Sequence, residues 1–279
     1  MGAEHPKLNT EQKIWKALAA LLRSLRPVLL YLLLPALIAG IGMVISGRIH
    51  NSQRFIEQSG RFYKTVGLLA TFALLEYRAR KRGSSIIGET TLSLENPDYR
   101  KLAMLFGIGL GISLCLSAVF TLLPETFTEH YQVSSEMAFS GTDLWLAVLS
   151  ALILAPVLEE IIFRGYMLNR LFEGFDEPWA LGLCGVIFGL CHTSPLWILY
   201  AGFMGVFLAR IAVKEDNILY STAMHMGFNF LTLPTLAISR NEIAYQIFTG
   251  SGLITAAWGI IGFCLAGYLW KLYQMQDRK

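Results

Sequence analysis

The sequence predicts an all-α, polytopic membrane protein of about eight transmembrane helices with both termini cytoplasmic, and three observations predict it. The composition is 54% hydrophobic and only 15% charged, with a mean hydropathy of +0.50. Globular domains carry about a quarter charged residues, and a soluble fold of 279 residues has no interior large enough to hide so much apolar surface. Apolar runs recur near the ~20 residues that cross a ~30 Å hydrocarbon core. The basic residues gather between those runs, where Lys and Arg report which side is cytoplasmic.

The runs fall at about 27–46, 62–77, 102–123, 144–168, 179–193, 195–213, 217–237 and 252–272. The second and fifth are short or impure and the fourth contains two glutamates. Eight crossings with cytoplasmic termini place Lys7, Lys13, Lys16, Arg23, Arg26, Arg78, Arg80, Lys81, Arg82, Arg100, Lys101, Arg164, Arg170, Arg210, Lys214, Lys271, Arg278 and Lys279 inside. Arg48, Arg54, Arg61, Lys64 and Arg240 are left outside, a division of 18 against 5 among the 23 basic residues, and Pro124 to Asp143 carries acids with no Lys or Arg. That asymmetry is the positive-inside pattern. The expected organisation is a cytoplasmic or interfacial segment over 1–26, one transmembrane domain over 27–272 with its core at 144–237, and a cytoplasmic tail over 273–279. Within 7–25, basic residues alternate with Ile14, Trp15, Leu18, Leu21 and Leu22 at helical spacing, which suits an interfacial helix or a solvated lead-in. Gly107 to Gly111 and Gly185 to Gly189 have the spacing that lets helix backbones approach in lipid.

Other classes recede on the same reading. A net charge of +3 is too small for a nucleic-acid partner and is not striped along a helix. Cys115, Cys184, Cys191 and Cys264 lie inside apolar stretches without zinc-knuckle or disulfide spacing, so they read as packing residues. About two dozen polar and mixed residues precede a first run too long for a signal-peptide core, so that run is expected to remain in the membrane.

Ionisable groups inside predicted spans cost several kcal/mol by insertion scales, roughly 2.5–3.5 each, and mark functional sites. They concentrate in Ala155-Pro156-Val157-Leu158-Glu159-Glu160-Ile161-Ile162-Phe163-Arg164-Gly165, in Phe188-Gly189-Leu190-Cys191-His192 and in His225-Met226-Gly227-Phe228-Asn229. Residues four apart share a helix face whereas neighbours diverge by about 100°. Glu160 is therefore expected to pair with Arg164 as an anchor, and Glu159 to face another helix as a general base. His192 is expected to orient a water for Glu159, and His225 with Asn229 to donate to a developing oxyanion. Such a group hydrolyses an amide through activated water without a serine or cysteine nucleophile. A histidine in an apolar helix is more often a satisfied packing residue; the joint occurrence over three helices favours a site.

Glu159-Glu160-x-x-x-Arg164, Phe188-x-x-x-His192 and His225-x-x-x-Asn229 resemble the three signatures of the CAAX prenyl protease and bacteriocin-processing family, which includes the Rce1-type proteases. The resemblance covers about 144–237. It implies an intramembrane glutamic endopeptidase with an eight-helix core and a cavity open to the cytoplasmic side. Glu159 and His192 would activate water, His225 and Asn229 would form the oxyanion site, and Glu160, Arg164 and Phe188 would support them. Expected partners are the lipid bilayer and a peptide or membrane-protein substrate, prenylated or not, and the expected location is a prokaryotic plasma membrane. No cofactor or metal is expected. Zinc held by the two histidines and a glutamate is the alternative in the same class, although no His-Glu-x-x-His occurs. A proton-coupled transporter or a non-proteolytic scaffold or immunity protein are the alternatives outside it.

Overall fold

A computed structural model describes residues 9–49, 53–130, 133, 144–231 and 250–276. The regular structure is helical and, among the described residues, contains no strand. The chain is an all-α membrane protein, as its composition predicts. Helix α1 spans Thr10–Ile49 and α2 Gln53–Lys81, followed by a short α3 at Ile86–Glu89 and by α4 at Tyr99–Leu122. Next comes α5, a continuous helix over 144–171 that contains two π-helical stretches. Helices α6, α7, α8 and α9 then run Glu177–Leu190, Pro195–Glu215, Ile218–Phe230 and Gly252–Gln276.

Four of these, α1, α4, α7 and α9, are long and apolar enough to cross a membrane. Helix α6 is apolar but has 14 residues, about 21 Å at 1.5 Å per residue, which is less than the hydrocarbon thickness. The end of the predicted seventh run, 232–237, lies outside the described residues, as do Arg240 and most of the acidic stretch ending at Asp143. Large apolar side chains stand on outer faces with no protein against them, among them Leu253 at 85% and Phe203 at 72% exposure. Lipid accounts for such faces, water does not.

Helix α1 has 40 residues, roughly 60 Å of helix, so the basic stretch expected as an interfacial segment is continuous with the first apolar run. A reciprocal cap starts it: Gln12 N–H donates to Asn9 Oδ1 at 2.8 Å while Asn9 N–H donates to Gln12 Oε1 at 3.0 Å. Its early turns rest on the α5–α6 corner, where a Cβ at Gly174 would come within 2.8 Å of Ala17 Cα. Pro27 and Pro35 lie inside it, each withdrawing one backbone donor.

Close approach of small residues sets the other contacts. A Cβ on Gly111 would lie 2.7 Å from the Gly262 carbonyl oxygen, and one on Gly262 2.6 Å from that of Gly111, so α4 and α9 meet backbone to backbone. Gly185 and Gly189 play the same part for α6 against α7, where their added Cβ atoms would meet Gly202. The glycine spacing at 107–111 and 185–189 therefore reads correctly as helix contact, with Gly107 facing the Leu269 side chain instead of a backbone.

Corners use residues suited to them. Gly83 at φ 76° ends α2, with its N–H donating to the Arg80 carbonyl and that of Ser84 to Ala79, a glycine-terminated helix end. Between α7 and α8, Asp216 takes φ 46° and Asn217 caps α8 by accepting from Leu219 N–H. The Asn217 amide also donates to the Ser93 carbonyl, at 2.9 Å, and so ties the α3–α4 connection to the start of α8.

One buried apolar cluster surrounds α5, with Leu158, Ile161, Ile162, Phe163 and Met167 at its centre. A second joins α4, α7, α8 and α9 through Leu105, Ile108, Leu208, Met224 and Tyr273. The predicted site lies where α5 meets α6, α7 and α8.

Candidate active site

The geometry begins with the irregularity of α5. Its π stretches, Val148–Leu154 and Ile161–Met167, flank a short α-helical piece, Ala155–Glu160. Pro156 sits at the start of that piece and has no N–H to close an ordinary turn. The helix is widened on the N-terminal side of this proline. Local π turns of this kind cluster at functional sites, and here they bracket both glutamates.

Glu160 is wholly buried and fully partnered. Arg164 Nη1 donates to its Oε1 at 2.8 Å, Ser221 Oγ donates to its Oε2 at 2.7 Å, and His225 Nδ1 lies 2.9 Å from Oε1. Arg164, also buried, spends its second terminal nitrogen on the Gly205 carbonyl at 2.9 Å and lies 4.6 Å from the centre of the Phe188 ring. A carboxylate and a guanidinium taken out of water this completely need these bonds to offset their desolvation. The i, i+4 pair expected from spacing is present, and it binds α5 to α7 and α8.

Glu159 differs. Its side chain keeps 15% exposure where that of Glu160 has none. Its Oε1 accepts the phenolic hydrogen of Tyr31, on α1, and its Oε2 lies 3.6 Å from His225 Nε2. His225 thus stands between the two adjacent carboxylates, one ring nitrogen toward each.

His192 falls two residues beyond the end of α6, with its Nδ1 3.0 Å from the Phe188 carbonyl and 3.3 Å from that of Gly189. A carbonyl oxygen only accepts, so Nδ1 carries the proton, and in the neutral ring Nε2 keeps its lone pair. The ring is held between Phe188 at 5.3 Å and Trp197 at 5.2 Å. Phe188 also meets the edge of His225 at 5.8 Å. One aromatic ring on α6 therefore sets the spacing of His192, His225 and Arg164.

Asn229, a turn after His225, donates from Nδ2 to the Ala151 carbonyl at 3.0 Å. Ala151 belongs to the first π stretch, whose carbonyls are displaced from ordinary helical partners. The structure therefore directs His225 to carboxylates and Asn229 to a backbone oxygen, where spacing alone suggested two donors aimed at one point. Cys191 makes a local contact with the Ile187 carbonyl at 3.2 Å. Among the described residues no three His, Cys, Asp or Glu side chains are arranged to hold a metal ion.

Two participants escape motif reading. Ser221 is four residues before His225 on the same face of α8, and that spacing was a usable signal. Tyr31 offered none: its partner is 128 residues away, and a tyrosine in an apolar run looks like a packing residue.

Fold and site together define an all-α membrane protein with a cluster of carboxylate, imidazole and guanidinium groups gathered around its central helix. Residues 141–231, which supply every member of that cluster except Tyr31, match the family model for type II CAAX prenyl endopeptidase Rce1-like. The chain is 26% identical over 136 residues to CAAX prenyl protease 2 of Arabidopsis thaliana, a match covering 40% of each protein. It is 25% identical over 175 residues to UPF0177 protein YbdI of Lactococcus lactis, covering 62% of this chain and 93% of that one. The match thus spans less than half of the plant protease and nearly all of the bacterial protein. No solved structure matches.

Proposed function

We propose that this protein is an intramembrane endopeptidase of the glutamic class, in which Glu159 and His192 activate a water that attacks a peptide carbonyl. The observation that carries this reading is the contrast between adjacent acids. Glu160 is closed off by Arg164, Ser221 and His225, whereas Glu159 retains exposure and an oxygen without a close donor. Glu159 accepts the proton of the water as general base and returns it to the leaving amine. His192, with its lone pair at Nε2, accepts the water's other hydrogen and aligns it.

His225 and Asn229 serve the oxyanion once a substrate carbonyl enters. His225 turns its Nε2 edge toward the developing charge, and Asn229 exchanges its bond to Ala151 for one to the same oxygen. The substrate is a peptide or membrane-protein segment, with a prenylated C-terminal tail as one member of that class. Eight spans and cytoplasmic termini, supported by the 18 to 5 division of basic residues, and a prokaryotic plasma membrane complete the proposal.

The test is hydrolysis by the purified full chain in detergent, offered quenched fluorescent peptides with and without a farnesylated C-terminal cysteine motif. Glu159→Gln and His192→Ala are expected to lower turnover by about 10²–10⁴-fold, the range for lost general acid–base groups, with unchanged melting temperature. Cleavage that survives both substitutions overturns the mechanism. Activity is expected to persist after chelator dialysis, and restoration by added zinc alone would favour a metalloprotease.

A further inference from the structure

The Rce1-like match ends where the N-terminal helices begin to matter. Helix α1 lies more than ninety residues before that segment, yet it sends one polar side chain into the cluster. The Tyr31 ring is fixed by an edge contact with Phe163 at 6.4 Å, and its hydroxyl is bonded to Glu159 Oε1. Pro27 and Pro35 stand one turn to either side of it. Pro35 is pressed against α2, where a Cβ on Gly67 would reach to 2.5 Å from the Pro35 Cα, so the turn that carries Tyr31 is backed by a second helix.

The two oxygens of Glu159 are therefore unequal. A carboxylate has no hydrogen to give, so the phenol donates, and Oε1 is engaged. Oε2 has the His225 ring at 3.6 Å, too long for a hydrogen bond. We propose that Tyr31 is a positioning residue: its hydroxyl fixes the rotation of the Glu159 carboxylate, leaving Oε2 to face the water.

The inference rests on the reading of Glu159 as the base, and it adds α1 to a site otherwise composed within 141–231. Tyr31 itself passes no proton in this scheme. It removes one rotational freedom from the base, and a carboxylate held in one orientation reacts more often than one that turns.

Tyr31→Phe keeps the ring and its contact with Phe163 and deletes only the bond. Loss of a hydrogen bond to a charged group is expected to lower kcat about ten- to a hundredfold, with KM within about twofold. A merely structural tyrosine would leave kcat unchanged in protein that still folds. A second measurement needs no turnover: the carboxylate stretching bands of Glu159, isolated as the infrared difference between wild type and Glu159→Gln, should move in Tyr31→Phe. Bands that stay in place overturn the inference whether or not any peptide is cleaved. Wild-type protein that cleaves nothing, with bands that move, preserves the Tyr31–Glu159 bond and overturns the catalytic reading instead. A Tyr31→Phe variant that loses only the alkaline limb of its rate profile would make the hydroxyl a proton donor, and that also overturns the positioning role.

Discussion

Glu159 and Glu160 show how one step along a helix separates two chemistries. About 100° of rotation carries one carboxylate into a closed set of donors and leaves its neighbour between α1 and α8. Glu160 is the residue whose surroundings give the larger energetic expectation. Removing Arg164 leaves a fully buried carboxylate with one charge partner fewer, so Arg164→Met should destabilise the fold by about 3–5 kcal/mol, read as a lowered melting temperature in detergent. The double variant Glu160→Gln, Arg164→Met should recover part of that loss, because no uncompensated charge then remains. The pair was legible in the sequence because it is local: four residues, opposite charge, one face. The division of labour between His225 and Asn229 was not, since the acceptors that engage them come from another helix.

At the scale of the element, α5 was legible only in part. Its span was readable from apolar length, and its register was not. Pro156 was visible, but a proline within a helix permits a kink, a break or a π turn, and neighbouring helices decide which. The glycine contacts were readable because small residues at helical spacing have few other uses in an apolar segment. Gly111→Leu should drive side-chain atoms into the α9 backbone around Gly262 and destabilise by at least the ~1–3 kcal/mol of ordinary overpacking, again read by thermal unfolding. At the corner, Arg82 Nε donates to Glu89 Oε1 at 2.6 Å, and Tyr166 donates to Oε2 at 2.9 Å. The Arg82 bond, followed by the Tyr166 bond, holds the Glu89 carboxyl below the usual carboxylate range. A lowered folded-state value contributes stability that is present above that range and lost as pH falls through the lowered value. Glu89→Gln should therefore narrow the drop in melting temperature between about pH 7 and about pH 3, by a small amount because Arg82 is more than half exposed.

For the whole molecule, composition and the division of basic residues foretold an all-α membrane protein, while four helices among the described residues reach spanning length and apolarity. Fluorescent-protein fusions at either terminus should fold and fluoresce on the cytoplasmic side, and a fluorescent fusion lost at one end alone would contradict an even number of crossings. The assembly also divides mechanically. Helices α5, α7 and α8 are joined by charged, buried bonds through Glu160 and Arg164. Helix α1 is attached to α5 by apolar contact and by the Tyr31 hydroxyl, and to the corner after α5 by the surface pair Arg23–Glu173 at 3.1 Å. Bonds of the second kind part and re-form at far lower cost than those of the first. Amide hydrogen exchange in α1 should therefore outpace that in α8.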